Sequence, residues 1–196
     1  QPDFKFSHID LQQAIQARLP AAKQAQSHQR IGRLLLDSTT MAEREARIFD
    51  IVNQLNLARD IIDKESERND LALLNLMAGK KAKWSAAYSS AYYYCSKGLE
   101  LLPDASWQTY YDLTLSLHSQ ACEAAYLSAR FDDLERLANK VIREAKTLLD
   151  KVSVYELQVL AYKAQQQPQQ AIAKAREVLS LFEVELPRRA TASEAR

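Results

Sequence analysis

Residues 78–103 read Ala78-Gly79-Lys-Lys-Ala-Lys-Trp84-Ser-Ala-Ala-Tyr88-Ser-Ser-Ala91-Tyr92-Tyr93-Tyr94-Cys95-Ser-Lys-Gly98-Leu-Glu-Leu-Leu-Pro103, and the fold is decided here. Two helices can approach closely only where the facing side chains are small, and a large ring must then plug the turn between them. Ala78, Gly79, Ala91 and Gly98 supply the small contacts, Tyr88 the plug, and Pro103 the stop, because its ring cannot continue a helical hydrogen-bond ladder. The spacing predicts a helical hairpin whose two helices pack closely.

The pattern recurs. Phe131 stands where Tyr88 stood, with Leu134, Ala138 and Val141 at the offsets that Ala91, Cys95 and Gly98 hold from Tyr88. Pro168 opens a third copy, followed by Ala171, Ala175 and Val178. The anchors Ala91, Leu134 and Ala171 lie 43 and 37 residues apart, longer than the roughly 34 of a strict tetratricopeptide repeat and drifting between copies, which predicts helices of unequal length. The expected fold is all-α, a right-handed superhelical array of antiparallel helix hairpins forming a tetratricopeptide-like α-solenoid.

Upstream, Phe4 to Leu19 suits a short extended entry and a helix capped at Ser7 or Asp10. Ala21 to Asp37 predicts a second helix with Ala25, Ile31, Leu34 and Leu35 on its inner side. Thr40 and Glu43 form a capping box for a third, whose buried face carries Ile48, Ile51, Val52 and Leu55. Another helix runs from Ser66 to about Trp84 with Leu71, Leu74, Ala78 and Ala82 inward, and Trp84 and Leu117 are expected in the core. Beyond Pro103, one long helix is expected to carry Trp107, Tyr110, Tyr111, Thr114, Leu117 and Ala121. Pro187 ends the last helix, and residues 188–196 have the composition of a frayed or disordered tail.

Composition agrees. Among 196 residues only three are glycine and five proline, which favours helices with short connections. The net charge of +1, with acids and bases interspersed, supplies no field to draw the chain onto nucleic acid or an anionic membrane. The longest apolar runs, such as Leu34-Leu35-Leu36, are far too short to span a bilayer, so a cytoplasmic protein is expected. Cys95 and Cys122 lie within helical patterns without metal or redox spacing and read as reduced core residues.

No enzyme constellation is visible. Phosphate-binding glycine loops and a kinase catalytic loop are missing, and His8, His28 and His118 lack a second ligand at three or four residues. Asp132-Asp133 suit a helix N-terminus rather than acid–base work. No catalytic residue, cofactor or metal is therefore expected.

The aromatic cluster Tyr88, Tyr92, Tyr93, Trp107 and Tyr111 is the candidate partner-binding surface. Tyr92, Tyr93 and Tyr94 are consecutive and sweep about 200° of a helix, so not all three can be core. One or two face solvent or a groove, where such rings anchor a peptide or a neighbouring domain. The alternative is that the rings pack between helices with their hydroxyls reaching water.

A set of segments carries a resemblance. Phe6-Ser-His8-Ile-Asp-Leu-Gln12-Gln13-Ala14, Ile31-Gly-Arg-Leu-Leu-Leu and Ile48-Phe-Asp-Ile-Val-Asn-Gln-Leu-Asn56, with Gly98-Leu-Glu-Leu-Leu-Pro103, Ser106-Trp107 and Tyr111-Asp-Leu-Thr-Leu115, resemble the region after the STAND-type AAA+ ATPase module of bacterial, notably cyanobacterial, multi-sensor signalling kinases. The resemblance implies that residues 1–38 are the helical end of the winged-helix part of the ATPase module and 39–187 the repeats, with 188–196 left as a disordered tail or linker. It further implies a non-catalytic regulatory segment that relays partner or inducer binding to the ATPase. The partner would be another protein or a neighbouring domain of the same polypeptide. The alternative function is a free-standing adaptor that binds peptides.

Overall fold

The computed structural model describes residues 20–184. The helix expected over Phe4–Leu19, His8, Pro187 and the tail lie outside the described residues. Ten α-helices and two short 3-10 turns make up the described secondary structure, with no strand among these residues.

The helices are α1 (Ala21–Asp37), α2 (Met41–Ala46), α3 (Ile48–Leu57), α4 (Glu65–Trp84), α5 (Tyr88–Leu101), α6 (Ser106–Thr109), α7 (Tyr111–Leu127), α8 (Phe131–Glu144), α9 (Val152–Ala164) and α10 (Pro168–Leu181). The largest helix contacts are α4 with α5, α5 with α7, α1 with α3, α7 with α8 and α9 with α10. Chain neighbours thus pack on one another, and α5 lies between α4 and α7.

Three connections are built alike. Tyr88, Phe131 and Pro168 are each the first residue of a helix, and Ala86, Ala129 and Gln166 hold the left-handed region at φ 55°, 57° and 60°. In each turn one backbone N–H reaches back six residues inclusive and another four: Ala87 to Ala82 and Ala86 to Lys83, Arg130 to Ala125 and Ala129 to Tyr126, Gln167 to Tyr162 and Gln166 to Lys163. This pair of bonds satisfies carbonyls that a helix end would leave open, and it reverses the chain in three residues. A non-glycine residue in that conformation costs about 1–2 kcal/mol, which the two bonds and the packing of the joined helices offset.

The helices after the turns have one length, 14 residues in α5, α8 and α10. Those before the turns shorten from 20 in α4 to 17 in α7 and 13 in α9, which contributes to the drifting interval. Ala91, Cys95 and Gly98, and likewise Leu134, Ala138 and Val141, are buried. Ala171, Ala175 and Val178 are half-buried, since α10 packs chiefly on α9.

Close approach needs glycine at two places in the hairpin. A Cβ on Gly79 would lie 2.5 Å from Cys95 Sγ, and one on Gly98 would lie 2.7 Å from Leu117 Cδ2 and 3.3 Å from the Ala72 carbonyl oxygen. The small residues therefore mark helix contacts, as their spacing suggested.

The capping box forms: Thr40 Oγ1 accepts from the Glu43 N–H, and the Glu43 carboxylate accepts from the Thr40 N–H. Ile48, Ile51, Val52 and Leu55 are buried, but the helix breaks at Arg47 into α2 and α3. On α1, Ile31 and Leu34 are exposed instead of inward. Gly32, the buried residue of α1, meets Leu55 so closely that a Cβ would stand 2.6 Å from it, and this contact turns Ile31 and Leu34 outward.

Trp84 is likewise exposed, at 89%, whereas Leu117 is fully buried. Ala82 is the last buried position of α4, and two residues further carries the side chain about 200° around the helix. The long helix expected after Pro103 is broken at Tyr110 (φ −132°, ψ 47°) into α6 and α7.

Candidate functional site

Of the five aromatic residues expected on a partner surface, Tyr93 is exposed at 47%. Its ring lies edge-on to Tyr94, and the Lys97 ammonium sits 5.8 Å from its centre. Tyr88 is half-buried at its turn. Tyr92 is half-buried beneath the Arg130 guanidinium, 4.9 Å from the ring, with Asp133 of α8 nearby. Burial first, then Asp133, raises the Tyr92 phenol above its ordinary value.

Tyr111 is half-buried and donates its hydroxyl to Asp150 at 2.7 Å while accepting the Lys146 N–H at 2.8 Å. Trp107 is only 4% exposed, so it is a core residue and not part of an open surface. The break at Tyr110 is the cause: it puts Trp107 on the short α6, where its ring packs against Tyr111 and His118.

The tyrosine hydroxyls mostly serve as ties between elements distant in sequence. Tyr94 donates to Asn53 at 3.0 Å and Tyr110 to Glu65 at 2.8 Å, in addition to the Tyr111 bonds. This answers the polar demand of half-buried rings by a route that helical periodicity does not reveal.

A cleft of about 610 Å³ opens between the end of α5, α6 and α8. Leu99, Leu102 and Pro103 form one wall, Trp107 and His118 contribute to the lining, and Arg136, Lys140 and Arg143 stand on the α8 side. The three cations fall at i, i+4 and i+7, hence on one face of their helix. Asp104 is the acidic residue on the lining. Arg136 pairs with Asp133 at 3.0 Å, and Lys140 and Arg143 share Glu144 at 3.4 and 3.1 Å. These are surface pairs, worth about 0–1 kcal/mol each, so a stronger anion can compete for the cations.

His118 is 9% exposed. Its Nδ1 lies 2.9 Å from the Thr114 carbonyl oxygen, which can only accept, so Nδ1 carries the proton and Nε2 offers a lone pair. Burial holds the imidazole below its ordinary pKa; Lys140 and Arg136 push the same way, against the Thr114 carbonyl. The side chain is therefore neutral near pH 7. Nothing local in the sequence marks His118. The signal that could have found the cleft is the basic spacing Arg136, Lys140, Arg143 on a helix whose other face is apolar.

Cys95 and Cys122 are free and fully buried, and burial pushes both thiols up to about 12. They stay protonated in the folded chain. Among the described residues no group of three or more His, Cys, Asp or Glu side chains could hold a metal ion. No helix among them is long and apolar enough to cross a membrane.

No protein-family profile and no solved structure matches the chain. Over 108 residues it is 28% identical to the hybrid signal transduction histidine kinase G of Dictyostelium discoideum, a match covering 50% of this chain and 3% of that kinase. The chain thus spans a small part of the length of this relative.

Proposed function

We propose that this chain is a non-catalytic helical-repeat segment that carries protein interactions within a signal-transduction protein. The observation that carries the reading is the threefold recurrence of one turn, at Ala86, Ala129 and Gln166, each joining two packed helices. Such units stack into a tetratricopeptide-like α-solenoid, whose exposed surface is large for its core and suits docking of other domains. The partial similarity to a signalling histidine kinase supports the biological setting.

In this reading the segment belongs to a cytoplasmic multidomain ATPase or kinase of the STAND, multi-sensor type. It passes the binding of a partner or inducer to the ATPase by moving between packed and released arrangements. Tyr93 and the exposed Trp84 are the anchors offered to a partner domain.

Three measurements test this. Small-angle scattering of the 196-residue chain should give an elongated profile, and a compact globule would sink the solenoid. In the parent polypeptide, Tyr93→Ala should alter nucleotide turnover by the neighbouring domain while leaving thermal stability intact. Saturable ATP hydrolysis by the 196-residue chain alone would overturn the non-catalytic assignment.

A further inference from the structure

The cleft beside α8 combines features that the interaction role does not use. Its lining brings together Arg136, Lys140 and Arg143 of α8 with the apolar Leu99, Leu102 and Pro103 at and just after the end of α5. Its volume of about 610 Å³ lies in the range of sites for small organic molecules. His118, nine-tenths buried, contributes to the lining, and its Nε2 makes no hydrogen bond among the described residues.

We propose that this cleft binds a small organic phosphate monoester, with its phosphoryl group on Lys140 and Arg143 and its apolar part against Leu99, Leu102 and Pro103. The polar groups select this chemistry. Cationic side chains require acceptor oxygens, whereas the Nε2 of neutral His118 requires a donor. A carboxylate has no donor at neutral pH. A phosphate monoester has a second pKa of about 6 and so presents anionic oxygens together with an accessible P–OH form. Arginine and lysine are suited to the oxygens, arginine through its planar fork and lysine as a compact charge.

The test uses the 196-residue chain carrying Trp84→Phe, which leaves Trp107, in the cleft, as its sole tryptophan. Titration with phenyl phosphate should give a saturable change in Trp107 fluorescence, with inorganic phosphate and benzoate each at least about tenfold weaker. Adding K140Q/R143Q should weaken phenyl phosphate by about tenfold or more, while R30Q/K163Q, which removes the same charge elsewhere, should leave it unchanged.

The proposal falls if no saturable change appears by about 10 mM phenyl phosphate, or if K140Q/R143Q binds as tightly as its parent. Benzoate binding as tightly as phenyl phosphate would overturn the choice of phosphate. A phosphotyrosine peptide binding more tightly would overturn the choice of a small molecule. Tyr93 and Trp84 do not line this cleft, so its failure and that of the interaction reading are separately visible.

Discussion

Asn56 of α3 and Asn75 of α4 exchange two amide hydrogen bonds, each 2.9 Å long, and Asn75 also donates to the Leu71 carbonyl at 3.0 Å. Both are buried, so each amide satisfies the other where water does not reach. Asn75→Ala leaves Asn56 without its partner and should cost roughly 1–3 kcal/mol in urea denaturation. Replacing both by leucine should cost less than the single changes added together, because no orphaned amide remains. Additive costs would show that the pair is not a unit.

Leu117 is fully buried against the Gly98 position, whereas Trp84 stands 89% exposed. Leu117→Ala should therefore destabilise the chain by about 2–5 kcal/mol. Trp84→Ala should stay within about 0.5 kcal/mol. Chemical denaturation of the two variants checks the assignment, and similar losses for both would contradict it.

Gly79→Ala gains helix propensity but drives its new methyl into Cys95 Sγ at 2.5 Å, within a buried interface. Overpacking of this kind costs about 1–3 kcal/mol, which outweighs the roughly 1 kcal/mol of propensity. The thermal midpoint of Gly79→Ala should fall. In a Cys95→Ala background the same substitution should be much less costly, and an equal loss in both backgrounds would place the strain elsewhere.

His118 should make stability depend on pH. Its folded pKa is lowered by burial, so protonation favours the unfolded chain. The stabilisation is complete above the ordinary histidine value of about 6.5 and declines as pH falls through that value toward the lowered one. His118→Gln should flatten this part of a stability–pH curve while leaving the acid limb set by Asp133 and Asp150, whose carboxyls are held below their ordinary range by hydrogen bonds from Arg136 and Tyr111. An unchanged curve between pH 5 and 7 would remove His118 from the account, since ordinary carboxylates titrate near about 4.

The helix starts at three of the turns were legible because their signal is local. Offsets of three, seven and ten residues keep one face of a helix inward, and Tyr88, Phe131 and Pro168 each begin a helix as the alignment requires. The breaks at Arg47 and Tyr110 were not legible, since neither residue is a glycine or proline and both lie inside continuous apolar spacing. Nor were the left-handed residues, because alanine and glutamine at Ala86, Ala129 and Gln166 hide a conformation usually announced by glycine. The aromatic cluster was half read. Tyr93 faces outward and Tyr94 inward, but Trp107 turned into the core once its helix was interrupted. The basic cleft escaped because its parts lie on three separate segments, and His118 has no local companion to mark it.

The run of lengths 20, 17 and 13 in α4, α7 and α9 has an evolutionary consequence. Each step removes three or four residues, close to one full helical repeat of about 3.6, so the azimuth at the bend is nearly preserved while the column shortens. Insertions and deletions at the leading ends of these helices are thus tolerated when they come in threes or fours. A gain or loss of one or two residues would swing every later side chain by about 100° or 200° and set the ridge out of phase with its neighbour.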